Sequence, residues 1–153
     1  MSDIRMPDGT PQYAVDAEKE LVGAAMLCES ADVLATTIQP EDFWARDLGI
    51  IWGCTVKAAA QGSPSIPVTA WELDKVGELD RMGGYTRLAQ LAGTALVEQV
   101  APHTTLITHP SIIKDWARRR RGLVLASEMA QAAMSRPHRV PVWDRPEYQG
   151  ELS

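Results

Sequence analysis

Four consecutive arginines, Arg118–Arg121, are the densest cluster of reactive side chains in the sequence. Guanidinium groups pair with carboxylates and phosphates, so the run could meet an acidic protein surface or a nucleic-acid backbone. On a helix, four successive positions span about 300°, which rules out a single basic face. Arg118 and Arg121 share a side with Lys114, and the three make a basic stripe. Arg119 follows Trp116 by three positions and precedes Leu123 by four, which lays its stem across an apolar seam. The run therefore has three readings. It is a solvated face with one arginine paired to an acid, a protein-docking patch, or a nucleic-acid contact.

Other chemistry finds no constellation. A phosphate-cradling loop needs a lysine directly after glycine, but Lys19, Lys57, Lys75 and Lys114 follow Glu18, Val56, Asp74 and Ile113. His103 and His109 lie six positions apart, about 240° round a helix, so a regular helix cannot aim both at one metal ion. The third histidine is His138. Cys28 and Cys54 have no cysteine near them and read as reduced core residues. Neither a Gly-x-Ser-x-Gly elbow nor a His-Glu-x-x-His helix occurs. Adjacent acids such as Glu41 and Asp42 suit a helix start better than catalysis. The expectation is a non-enzyme with no catalytic residue, no cofactor and no metal site.

The elements that must position these side chains read as helices throughout. Met1–Gln12, with Pro7, Gly9 and Pro11, reads as a disordered lead-in. Ala17, Leu21, Ala24, Ala25 and Cys28 trace one helical face, with Asp16, Glu18 and Glu20 near its start where the dipole favours acids. Ser30 caps a short helix to about Ile38, and Pro40 opens another start. Leu48, Ile51, Trp52, Thr55, Val56 and Ala59 form the clearest stripe, stopped by Gly62. Thr69 and Glu72 have capping-box spacing, Gly83-Gly84 marks a turn, and Tyr85, Leu88, Leu91 and Ala92 face one way.

A long helix then spans Ser111 to about Ser135, with Ile112, Trp116, Leu123, Ala126, Ala130 and Ala133 near heptad spacing. Pro110 would kink it and Gly122 weakens it. Trp44, Trp52 and Trp71 read as packing residues, whereas Trp116 has less local protein to bury it. Ile112, Trp116, Leu123 and Ala130 are accordingly the candidate self-association seam. The fold class is all-α, with about five short helices in a head and then a long kinked helix or helical hairpin. The divisions are a lead-in over 1–12, a head over 13–100, a hairpin or dimerisation region over 101–136, and a Pro-rich, disordered tail over 137–153.

Composition bounds the rest. The chain has 153 residues, 45% apolar and 23% charged, enough for one soluble domain with a core of its own. A net charge of −5 argues against a generally basic nucleic-acid binder. The balance is uneven, with 7 Lys/Arg and 15 Asp/Glu up to Val100, then 8 and 5 beyond it. An acidic front and a basic back suggest two surfaces with different partners, or contact between copies. No apolar run approaches the roughly 20 residues of a membrane span, and Met1–Thr10 lacks a signal peptide's apolar stretch, so a cytoplasmic protein is expected.

The order of motifs is itself informative. Pro11-Gln12, then Ala17-Glu18 leading into Leu21-Val22-Gly23-Ala24-Ala25-Met26-Leu27, resembles the opening of the N-terminal domain of DnaB-type replicative DNA helicases. Pro40-Glu41-Asp42-Phe43-Trp44 is similar to that family's Pro-x-Asp-Phe-Tyr segment. Ile51-Trp52, Gly62, Ile66 and Val68-Thr69 follow in register, then Glu72-Leu73, Gly77-Glu78-Leu79 and Gly83-Gly84-Tyr85 with Leu88 and Leu91. Ile112-Ile113-Lys114-Asp115 through Arg120-Arg121 and Glu128-Met129 is similar to its terminal helical region, so the resemblance runs from about Pro11 to Met134.

What the resemblance implies is a non-catalytic helical module in DNA replication, without the family's RecA-like ATPase domain in this sequence. It implies pairing of two copies, three such pairs forming a collar, and docking of a primase or a separate helicase ATPase subunit. The competing expectation, from the residues alone, is a nucleic-acid-binding accessory protein using Lys114, Arg118 and Arg121.

Overall fold

In a computed structural model of the chain, residues 4–97 and 100–135 are described. They form six α-helices: α1 Gln12–Ala25, α2 Ser30–Leu34, α3 Arg46–Ala60, α4 Ile66–Lys75, α5 Gly84–Val97 and α6 Pro102–Met134. A 3-10 turn, Pro40–Asp42, precedes α3. There is no strand among the described residues, only an isolated bridge between Arg5 and Pro11. The chain divides into two compact units, Met1–Arg120 and Arg121–Ser153, and the division falls inside α6. No helix among the described residues is long and apolar enough to cross a membrane.

The core of the first unit is built from the apolar faces that periodicity identifies. Leu21, Val22, Leu48, Ile51, Trp52, Leu73 and Leu88 are buried together. Trp52 has no exposed surface, and its indole N–H donates to the Ile38 carbonyl at 3.1 Å, which satisfies its one polar atom. Leu106 and Ile113 of α6 join the same cluster. The first unit extends to Arg120.

Close backbone approach sets two positions. A Cβ on Gly23 of α1 would lie 2.1 Å from the Leu91 carbonyl oxygen of α5, and one on Gly49 would lie 2.5 Å from the Pro40 carbonyl oxygen. Both contacts are to backbone, which cannot rotate away. Glycine at 23 lets α1 and α5 touch, and glycine at 49 lets the 3-10 turn rest on α3.

Local expectations shift where tertiary contacts intervene. The segment before α1 is folded over residues 4–12: the Met6 N–H donates to the Thr10 carbonyl at 2.7 Å, and Thr10 is completely buried. α1 starts at Gln12, so Asp16, Glu18 and Glu20 lie beyond its first turn and do not serve its dipole. α2 stops at Leu34, where the Thr36 hydroxyl turns back to the Val33 carbonyl at 2.8 Å.

The capping box at Thr69 and Glu72 does not form, because α4 begins at Ile66 with Pro67 in its first turn. The Thr69 hydroxyl donates instead to the Pro64 carbonyl at 3.0 Å. The box lies at the 3-10 turn, where the Gln39 N–H donates to the Asp42 carboxylate at 2.8 Å. Trp71 is half exposed, and the Lys75 ammonium covers its ring at 3.7 Å, so of the three packing tryptophans it packs least.

Of the long kinked helix or hairpin expected over 101–136, the described residues 101–135 hold one helix, α6, and it continues through Pro110. Proline removes one N–H from the ladder but leaves the flanking turns bonded. The Thr108 hydroxyl donates to the Thr104 carbonyl at 3.0 Å there. The expected tail over 137–153, which holds His138, lies outside the described residues.

Gly23→Ala is expected to lower stability by about 1–3 kcal/mol, since the added methyl meets fixed backbone. Gly122→Ala, with no atom within 4 Å of its Cβ, is expected to raise helix stability by about 0.5–1 kcal/mol. Urea unfolding of both variants against the parent checks the opposite signs.

Candidate functional site

The first half of α6 meets the rest of its unit through one narrow face. Thr105, Leu106, Ile113 and Ala117 are its buried residues, and Arg120 continues their spacing. The Arg120 guanidinium donates to the Asp42 carbonyl at 2.8 Å and to the Thr10 hydroxyl at 3.3 Å. It thereby ties α6 to both the 3-10 turn and the turn ahead of α1. This residue, not Arg119, is the member of the arginine run that reaches inward. Periodicity could have found it, since it follows Ala117 by three and Ile113 by seven.

Behind Arg120 lies a buried acid. The Glu18 carboxylate is 1% exposed and accepts N–H bonds from Trp44 at 2.7 Å and Ala45 at 3.1 Å. Burial pushes its pKa up, while those two amides and the Arg120 charge pull it back down. Helical spacing places Glu18 on the buried face, three before Leu21, four before Val22 and seven before Ala25. Its partners, twenty-six and twenty-seven positions away, are what spacing does not reveal.

The outward side of this half-helix carries an aromatic cluster. The Trp116 indole N–H donates to the Tyr13 hydroxyl at 3.0 Å, and the two rings meet edge to face with centroids 6.3 Å apart. The guanidinium of Arg119 stands 4.5 Å from the Trp116 ring centre and that of Arg5 stands 5.9 Å away. Arg119 also pairs with Asp115 at 3.3 Å. Trp116 therefore has a partner within its own chain, which the seam reading did not anticipate. Ile112 is half-buried beside the fully buried Ile113.

The two histidines bind separate acids. His109 meets Glu20 of α1 at 2.5 Å and the Thr108 hydroxyl at 2.9 Å, and His103 meets Asp32 of α2 at 3.3 Å. No group of His, Cys, Asp or Glu among the described residues could hold a metal ion. Cys54 is buried and Cys28 half-buried, both reduced. Burial, with Asp32 and Glu29 adding to it, pushes the Cys28 thiol up to about 11, far from a reactive thiolate.

The expected basic stripe is dispersed in its contacts. Lys114 donates to the Thr37 hydroxyl, Arg118 is exposed, and Arg121 opens the second unit, also exposed. In that unit every described residue from Arg121 to Ser135 is exposed, including Leu123, Val124, Leu125, Met129 and Met134. Leu123 and Ala130 of the seam lie here, and Ile112 and Trp116 lie in the first unit. An apolar helical segment with no cover among the described residues of its unit is a surface that water solvates poorly.

The family model described as the DnaB-like helicase N terminal domain matches residues 10–109. Among solved structures, the N-terminal domain of DnaB helicase from Mycobacterium tuberculosis is similar to the chain, with a TM-score of 0.69 and 26% identity. That likeness covers 89% of this chain and 94% of the other.

The Glu18–Arg120 arrangement sets a sign for pH. Glu18's raised pKa means protonation favours the fold, so its contribution is full in acid. That contribution is lost as pH rises from the usual carboxylate range through the raised value. Arg120 offsets the loss. Arg120→Met is expected to cost about 1.5–3 kcal/mol, with a wider gap from the parent at pH 7.5 than at pH 5. Urea unfolding at the two pH values measures that gap.

Proposed function

Because the chain belongs to the DnaB-like helicase N-terminal domain family, and so is a replication-helicase-related module, we propose that it acts in DNA replication as a non-catalytic scaffold for self-association and protein docking. The observation that carries this reading is the unbroken exposure of Arg121–Ser135, with apolar side chains as large as Leu123, Leu125 and Met129. Positions 122, 125, 126, 129, 130 and 133 fall within one arc of that helix, with 123 at its margin, while Val124 falls opposite among Ser127, Glu128, Gln131 and Ser135. A segment of this kind gains by burying its apolar arc against another helix, and a second copy offers the same arc in an isologous contact.

Of the expected seam of Ile112, Trp116, Leu123 and Ala130, the second unit carries Leu123 and Ala130, and these with Leu125 and Met129 are the proposed pairing surface, Leu123 being the most exposed bulky member of the seam. Dimers, and three dimers closing a ring, are the assemblies this implies. A primase or a helicase ATPase is the docking partner proposed from the family.

Nucleic-acid binding through Lys114, Arg118 and Arg121 is the weaker reading. Lys114 is engaged with Thr37, and the net charge of −5 opposes a long polyanion.

Sedimentation velocity tests the proposal. The parent chain is expected to self-associate with rising concentration, and a Leu123→Asp, Met129→Asp double variant is expected to sediment as monomer with unchanged helical content. A parent chain that stays monomeric throughout would sink the self-association reading.

A further inference from the structure

A cavity of about 150 Å³ lies between α1, the end of α5 and the first half of α6, lined by Glu20, Ala95, Val100, Thr105 and His109. Glu20 and His109 are the titratable pair among the described residues of that lining, and they meet at 2.5 Å, Nε2 to carboxylate oxygen. The α5 side offers only the methyl of Ala95. On α1, Asp16 lies one turn before Glu20 and accepts from the Gln12 amide at 2.9 Å, while Lys19 is exposed. On α6, Lys114 is engaged with Thr37 and His103 with Asp32. One carboxylate therefore faces one imidazole, their side chains 32% and 17% exposed.

The other ring nitrogen fixes the proton count. Nδ1 of His109 stands 2.9 Å from the Thr108 hydroxyl oxygen. That hydroxyl has a single proton, and the Thr104 carbonyl, which can only accept, takes it at 3.0 Å. Toward the ring the hydroxyl is then an acceptor, so Nδ1 must donate. Nε2 faces a carboxylate, which when ionised also only accepts. A neutral imidazole has one N–H and serves one of these contacts, whereas the imidazolium serves both. Solvent reaches both side chains in part, which favours the ion pair over a neutral acid beside a neutral ring.

We infer that His109 is held as an imidazolium between Glu20 and Thr108, and that this proton is a pH-dependent latch of α6 on α1. The next residue, Pro110, gives no N–H to the helix ladder, so α6 depends more on side-chain bonds at that turn. Thr105 and Leu106 before the latch and Ile113 after it are the buried contacts that it holds in place. When Nδ1 loses its proton, the Thr108 hydroxyl must leave Thr104 and turn to the ring to keep that contact. The helix then loses a side-chain bond, and the Glu20 contact loses its charge attraction. The latch is full between the ordinary carboxylate and histidine ranges, about pH 5 to 6, and is released as pH rises. It goes beyond the docking reading and does not depend on pairing between copies.

Nuclear magnetic resonance of the histidine rings in the full chain, by long-range proton–nitrogen correlation, tests the proton count, with His109→Gln identifying the signal. Both ring nitrogens of His109 are expected to carry protons at pH 7, and to keep them to higher pH than in Glu20→Gln or Thr108→Val. A bare ring nitrogen in the parent at pH 7 would overturn the inference, as would the same titration in all three proteins.

Urea unfolding reads the latch itself. Glu20→Gln is expected to lower the folding constant by roughly tenfold at pH 6, the low end for a charge-assisted hydrogen bond, and by about twofold at pH 9. In a His109→Gln background the same change should cost equally at both pH values. Equal losses at pH 6 and pH 9 in the parent background would make Glu20 a merely structural acid and overturn the latch. Should Glu20→Gln fail to fold, the parent's ring spectrum and Thr108→Val decide.

Discussion

The carboxylate of Glu18 is buried in α1 and accepts the backbone N–H groups of Trp44 and Ala45, immediately ahead of α3. Those two amides precede a helix whose own first N–H groups lack intrahelical partners, so one side chain satisfies a buried entry that would otherwise be orphaned. A buried charge of this kind is tolerated only when bonded and compensated. The bonds come from the Trp44–Ala45 turn, and the compensating charge comes from Arg120 of α6. Arg120 in turn bonds Thr10 and Asp42. One acid therefore links the start of the chain, the 3-10 turn, α3 and α6.

That linkage divides α6 by function. Up to Arg120 its inner face is spent on the head, through Leu106, Ile113, Ala117 and the arginine itself. Trp116 is taken by Tyr13 and two guanidinium groups, so the bulkiest residue of the seam stabilises its own unit. From Arg121 onward the helix is exposed throughout its described length. The apolar surface available to another chain is consequently carried by Leu123, Leu125, Met129 and their neighbours. The aromatic anchor stays with the head. The family match over residues 10–109 lies within the first unit and stops short of Ile113, Ala117 and Arg120.

Much of this was legible in residue order, because helix periodicity and breakers are local. The stripes of α1, α3 and α5, the break near Gly62, and an all-α class follow from spacing that any buried face must respect. The order of short motifs pointed to the helicase N-terminal family before any contact was known.

What spacing could not decide was which partner each polar side chain would find. Thr69 and Glu72 have capping-box spacing, yet Pro67 and Ile66 had already begun the helix, and Thr69 was drawn to Pro64. Arg119 and Arg120 are chemically identical neighbours 100° apart, and only the position of Asp42 and Thr10 made one structural and left the other on the surface. Apolar burial is set by periodicity along the chain. Charge pairing depends on distances between residues far apart in sequence, such as Glu18 and Ala45 or Arg120 and Thr10, and those distances exist only once the helices have packed.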